Sequence, residues 1–181
     1  MKNFALLFGI VLPCIVLASD RPPYVGEEYR LITSLSPKEI ESLRNGDGMG
    51  FAKLAELNHY PGPKHVLDMT DRLNMSPSQV DATRLLYIEM KNKAVILGEE
   101  ILTAELLLDK SFKDGSVTDK TLESTLRDIS SIRGQLRYAH LEAHLRQKRL
   151  LSADQVSKYD AIRGYRVNEQ DPISKHQRHH E

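Results

Sequence analysis

Met75-Ser76-Pro77-Ser78-Gln79-Val80 has the pattern of a helix N-terminus. In a capping box, the Ser hydroxyl accepts a hydrogen bond from the backbone N–H three residues later, and a Glu or Gln at that position reaches back to the Ser N–H. Met75 and Val80 supply the apolar pair of a hydrophobic staple, and Pro77 suits the first helical position, where no N–H is needed. The stretch therefore predicts a helix that begins at Pro77.

Mostly apolar residues follow this start at alternating spacings of three and four, as on one face of a helix. They are Val80, Thr83, Tyr87, Met90, Ala94, Leu97, Ile101, Ala104 and Leu108. A helix from Pro77 to Phe112 would be about 54 Å long and needs a partner to be stable. Residues 113–116 predict a turn, after which Thr118 or Thr121 caps a second long helix that ends near Leu150. The short connection predicts that the two helices are antiparallel.

The capping-box pattern occurs twice more, and each copy predicts another helix start. The copies are Leu35-Ser36-Pro37-Lys38-Glu39-Ile40 and Leu151-Ser152-Ala153-Asp154-Gln155-Val156. The first helix should be interrupted by the glycines of residues 46–50, and the last should run from Ala153 to about Arg163. A turn at residues 59–63 precedes a short helix from His65 to about Leu73. We therefore expect an all-α fold, a long antiparallel helical hairpin with shorter helices folded onto it, which forms a dimer.

The two ends of the chain differ from the predicted helical domain at residues 35–165. Lys2, the apolar run 4–16 and the small residue Ala18 predict a signal peptide over residues 1–18, with an uncleaved inner-membrane anchor as the alternative. Residues 19–34 are predicted to be a flexible lead, and residues 166–181 a disordered tail that contains His176, His179 and His180. Cys14 is the only cysteine, so the exported chain would contain no disulfide.

Composition and motifs exclude two classes of function. The chain has 25 basic and 25 acidic residues, and this balance argues against nucleic acid as a partner, because phosphate binding needs an excess of positive charge. No nucleophile is placed beside a base, and no phosphate-binding loop is present, so we do not expect an enzyme. The basic residues Arg133, Arg137, Arg146, Lys148 and Arg149 form either a solvated face or a positive patch for an acidic partner.

Histidines provide the candidate metal site. His140 and His144 lie four residues apart on one helix face, a spacing that allows two imidazoles to reach one metal ion. His65, on the predicted short helix, is the third candidate ligand, and His59 is a further candidate. The alternative is that these histidines lie beside the core and bind no ion.

Several of these motifs together resemble a known family. Residues 75–79 and 151–155 resemble the paired Leu-Thr-x-x-Gln motifs of the Spy/CpxP group of periplasmic stress proteins, and residues 151–165 are similar to the closing helix of many members. Gly48-Met49-Gly50, Ala55-Glu56-Leu57-Asn58 and Tyr60-Pro61-Gly62-Pro63 are similar to the CnrX/ZraP-like heavy-metal sensors. The resemblance covers residues 35–165.

The resemblance implies a periplasmic, all-helical hooked hairpin that is commonly a homodimer. Its leading functional implication is an ATP-independent chaperone or signalling adaptor, which binds unfolded or damaged proteins or a membrane signalling partner and requires no cofactor. The alternative implication is a sensor or resistance protein for zinc, nickel, cobalt or copper. In the sensors a Met follows the second-helix His by one turn, whereas Lys148 occupies that position here.

Overall fold

The computed structural model describes residues 22–165. The predicted signal peptide and the predicted tail at 166–181 lie outside the described residues. After a 3-10 turn at Glu27–Tyr29, the elements are α1 (Pro37–Arg44), α2 (Lys53–Leu57), α3 (Pro63–Leu67), α4 (Pro77–Lys113), α5 (Asp119–Leu150) and α6 (Ala153–Arg163). Every regular element in this range is helical, which confirms the all-α prediction.

The predicted capping boxes all form. Ser36, Ser76 and Ser152 each accept from the backbone N–H of the third following residue, whose side chain accepts from the Ser N–H in return. A fourth box joins Thr118 to Thr121, so Thr118 is the cap of α5. These local hydrogen bonds fix where four helices begin.

Helices α4 and α5 lie side by side and run in opposite directions. Near the start of α4, the buried Thr83 hydroxyl accepts from the Gln147 amide at 3.1 Å, whereas near its end Glu105 pairs with Arg133 at 2.8 Å. The core between these polar contacts is aliphatic. Its main members on the two helices are Ala94, Leu97, Ile101, Leu102, Leu136 and Ala139.

Helix α1 crosses α4 at Gly98. A Cβ atom at this position would overlap the carbonyl group of Leu43, so a glycine is needed for the two backbones to come this close. Leu43 is fully buried at the crossing. After α1 the chain turns back through the glycine-containing segment 45–52, where the predicted interruption of the helix occurs.

The structure differs from the sequence prediction at the end of the lead. Ile32 and Leu35 are buried in the core, and the backbone and hydroxyl of Thr33 both donate to Asp109 on α4. The core therefore begins before residue 35. This start was not predictable, because Ile32 joins the core through long-range packing and belongs to no periodic pattern.

The short helix also differs from its prediction, because α3 covers Pro63–Leu67 and residues 68–74 form turns. Its buried side chains still enter a second apolar cluster with α6. The cluster contains Val66, Met69, Leu73, Leu151 and Tyr159. These contacts hold residues 66–73 against α6 and against Leu151, which connects α5 to α6.

Among the helices of residues 22–165, none combines the length and the apolar character that crossing a membrane requires.

Candidate functional site

The three histidines predicted as metal ligands line one cavity. This cavity, of about 460 Å³, lies where the segment 46–65 faces α4 and α5, and His65, His140 and His144 are among its lining residues. His59 does not line it, and pairs instead with Asp160 through Nδ1 and Oδ2 at 2.9 Å. The fold thus brings together residues that are almost 80 positions apart in sequence.

His144 is held with one nitrogen directed at the backbone. Its Nδ1 lies 2.7 Å from the carbonyl oxygen of Tyr60, and because a carbonyl only accepts, Nδ1 carries the proton. In the neutral ring Nε2 then keeps its lone pair, which can accept a proton or bind a metal ion. A Cβ atom at Gly62 would lie 3.0 Å from Nε2, so this glycine leaves room beside the ring.

His140 is a buried, neutral imidazole. The side chain is only 4% exposed, and its ring stacks on Phe51 with the ring centres 5.9 Å apart. Burial, followed by the neighbouring His144, lowers the pKa of His140 to about 4. Its Nε2 is buried and has no hydrogen-bond partner in residues 22–165. A buried polar atom without a partner is costly, and such an atom in a native fold calls for an explanation, for example a bound water or ion.

Glu56 connects the cavity to α6. The Tyr159 hydroxyl donates to its carboxylate, Arg163 Nε lies 3.3 Å from Oε1, and His144 Nδ1 lies 3.7 Å from Oε2. Burial and the bond to Glu56 raise the pKa of Tyr159. The carboxylate is therefore engaged by groups from two other helices, and it ties α2 to α5 and α6.

His65 lies at a more exposed part of the cavity. Its Nδ1 is 3.9 Å from Asp68 Oδ2, and partial burial, followed by the charge of Arg163, lowers the pKa of His65. Within residues 22–165, no three His, Cys, Asp or Glu side chains are close enough together to hold a metal ion. The three histidines share a cavity, and their joint binding of a metal ion stays a prediction.

Two methionines of the cavity are not recognisable as site residues from the sequence. Met90 belongs to the apolar periodicity of α4 and Met49 to the Gly48-Met49-Gly50 motif, yet both line the cavity. Met49 has a φ of 42°, a left-handed conformation that is uncommon for a residue other than glycine. That conformation cannot be recognised from the sequence, since it depends on how the loop 45–52 packs.

A second surface feature runs along the outer side of α4, opposite the buried residues Thr83, Ala94 and Ile101. Large aliphatic side chains recur there at helical spacing and remain exposed: Leu85, Ile88, Ile96 and Leu107. We call these four residues the outer stripe. Ile96 and Leu107 also line a shallow apolar groove with Val95, Ala104 and Ile132, and Glu99 and Glu100 lie at its edge.

The basic residues of α5 are partly neutralised by α4. Arg146 pairs with Glu89 at 2.9 Å, and Arg133 pairs with Glu105 at 2.8 Å. The Lys148 ammonium lies 3.9 Å from the centre of the Tyr60 ring. The two ion pairs favour, for Arg133 and Arg146, the interpretation of a solvated face paired with acidic residues.

Comparisons of the chain with protein-family models, with curated proteins and with solved structures give no match.

Proposed function

We propose that this protein is an envelope-stress binding protein of the Spy/CpxP type, which holds unfolded or damaged polypeptide on the outer stripe of α4. The observation that carries the proposal is the exposure of four large aliphatic side chains along one line of a helix whose opposite side is already buried. A helix that only served the core would carry polar residues on its outer side. An apolar line on the surface is typical of a site that binds another molecule.

The chemistry of the outer stripe suits weak and reversible binding. Each buried Å² of apolar surface contributes only about 25 cal/mol, and four separate side chains give many alternative contacts without a fixed geometry. Glu99 and Glu100 beside the groove keep the complex hydrated and disfavour tight aggregation. Binding and release of this kind require no ATP.

The proposal extends to where the protein is located and how it assembles. Residues 1–18 would direct the chain to the periplasm, the helices would form a hooked hairpin, and two copies would associate as a homodimer. A membrane signalling partner is the alternative occupant of the outer stripe. The proposed activity is binding, without catalysis.

Suppression of client aggregation tests this function. A chemically denatured enzyme is diluted into buffer with the protein, and light scattering is followed. We expect the parent to suppress scattering at a few-fold excess, and the double variant I96Q/L107Q to lose most of this effect. The matched control is L54Q, because Leu54 on α2 is as exposed as Ile96, at 60%. No suppression by the parent, or equal loss in L54Q, would contradict the proposal.

A metal-responsive protein is the second candidate, because His65, His140 and His144 line one cavity and His140 Nε2 is buried without a partner. An ion bound there would stabilise one packing of the segment 46–65 on α5, which a membrane partner could recognise. Calorimetry with zinc, nickel, cobalt and copper tests this function in the full chain with His176, His179 and His180 replaced by Asn. We expect H140N and H144N to bind more weakly than H59N, and equal binding by all three would contradict this candidate.

A further inference from the structure

The free donor atoms of the cavity are soft or intermediate ligands. His144 Nε2 keeps a lone pair, since Nδ1 is directed at the Tyr60 carbonyl, and His140 Nε2 is buried without a partner. The thioethers of Met90 and Met49 line the same cavity. Imidazole nitrogen and thioether sulfur are thus the groups that an ion in this cavity could use.

The carboxylates of the cavity are already engaged. Glu56 accepts from Tyr159 and is paired with Arg163, and Asp47 lies 3.2 Å from the Lys91 ammonium. An ion that prefers hard oxygen ligands would have to displace Arg163 from Glu56 or Lys91 from Asp47. Since the cavity also includes nearby lysines, it offers little net negative charge to a divalent ion.

We propose that the cavity binds a single copper(I) ion through the Nε2 atoms of His140 and His144 and the thioether of Met90. The proposal deepens the second candidate function and rests on it. Thioether sulfur is a soft ligand that suits copper(I), and imidazole nitrogen is also a ligand for copper. Met49 contributes a second thioether at the cavity wall.

The fold holds the imidazole rings of His140 and His144 in place without an ion. His140 is fixed by stacking on Phe51, and His144 is fixed by the Tyr60 carbonyl, so neither ring needs to be ordered by the ion. Met49 keeps an uncommon left-handed backbone beside the cavity, which is the kind of strain found at binding sites.

Competition with a copper(I) chelator tests the proposal. The full chain carries C14S, H176N, H179N and H180N, so that the cysteine and the last three histidines cannot bind the ion. Copper(I) is supplied anaerobically as its bicinchoninate complex, and the visible absorbance of that complex reports the copper removed by the protein. We expect one copper(I) per chain, and an affinity at least about tenfold lower in M90L.

Met75→Leu is the matched control, because Met75 is partly buried outside the cavity in the second apolar cluster. Zinc affinity is measured on the same proteins and should be equal in M90L and M75L. X-ray absorption at the copper edge of the parent should show sulfur in the first shell, a result that does not depend on how the variants fold.

The outcomes separate this proposal from the function on which it rests. If the histidine variants lose metal but M90L binds copper(I) like M75L, or if copper shows only nitrogen and oxygen neighbours, the copper(I) site is wrong while the metal-responsive function stands. If the parent binds none of the four metals, both are wrong.

Discussion

The side-chain amides of Gln79 and Gln155 form a reciprocal pair, in which each Nε2 donates to the other's Oε1, at 2.9 and 3.1 Å. These residues are the third helical positions of the α4 and α6 capping boxes. Gln79 also donates to the Leu150 carbonyl at 2.8 Å, and Gln155 donates to the Leu73 carbonyl at 3.3 Å. The two helix starts are therefore joined to each other and to the end of α5, which a pair of isolated caps would not achieve.

Replacing Gln79 by Glu should destabilise the protein. A carboxylate preserves the bond from the Ser76 N–H but cannot donate to Gln155 or to the Leu150 carbonyl, and both acceptors are partly buried. We expect a loss of about 2 kcal/mol in the free energy of unfolding, measured by urea denaturation. The control is E39Q, since the Glu39 side chain hydrogen-bonds to Ser36 within its own cap, and this variant should lose about 0.5 kcal/mol. Equal losses in the two variants would show that the Gln79–Gln155 pair has no role beyond capping.

Gly98→Ala should disrupt the crossing of α1 and α4. The added methyl overlaps the Leu43 carbonyl, and because this contact is with backbone, relief requires a shift of α1. We expect a loss of about 3 kcal/mol. Gly134→Ala is the matched helical control, because nothing lies within 4 Å of its Cβ position, and it should gain about 0.5–1 kcal/mol. Thermal unfolding of both variants measures the difference, and a stable G98A protein would contradict the described crossing.

Gly62→Ala should weaken metal binding without unfolding the protein. Gly62 has an extended backbone that Ala tolerates, but the new methyl would press on Nε2 and Cε1 of His144 and displace the ring from the Tyr60 carbonyl. We expect an affinity for metal at least about tenfold lower, measured by titration. Gly48 lines the same cavity, and nothing lies within 4 Å of its Cβ position. The G48A variant should therefore bind metal like the parent. Parent-like binding by G62A would place the ion away from His144.

Asp109 should make the attachment of the lead sensitive to acid. Burial acts to raise its pKa, but hydrogen bonds from Lys113 and Thr33 outweigh burial and hold the pKa of Asp109 below its ordinary value of 3.8. Because the folded state binds the proton less readily than the unfolded state, this contribution to stability is complete above about pH 3.8 and is lost as the pH falls further. We expect D109N to be less stable than the parent at pH 7, and the difference to shrink below pH 3.8 in urea titrations. A difference that grows towards low pH would contradict the assignment.

Local chemistry explains why much of the fold was predictable. Ser76 and Gln79 specify the start of α4 within four residues, and the capping boxes at Ser36 and Ser152 do the same for α1 and α6. The sequence could also place His140 and His144 on one helix face. Long-range contacts were not predictable: the burial of Ile32 in the core, the pairing of Gln79 with Gln155, and the presence of Met49 and Met90 in the cavity of the histidines all depend on how the helices pack.

Binding of unfolded polypeptide to the outer stripe of α4 is tested most directly by site-specific crosslinking. A benzophenone photocrosslinker is introduced in place of Ile96, or in place of Leu54 as an equally exposed reference, and each protein is irradiated with a denatured client. We expect a covalent adduct with the client from position 96 and little from position 54. Equal adducts from the two positions, or none from position 96, would contradict it.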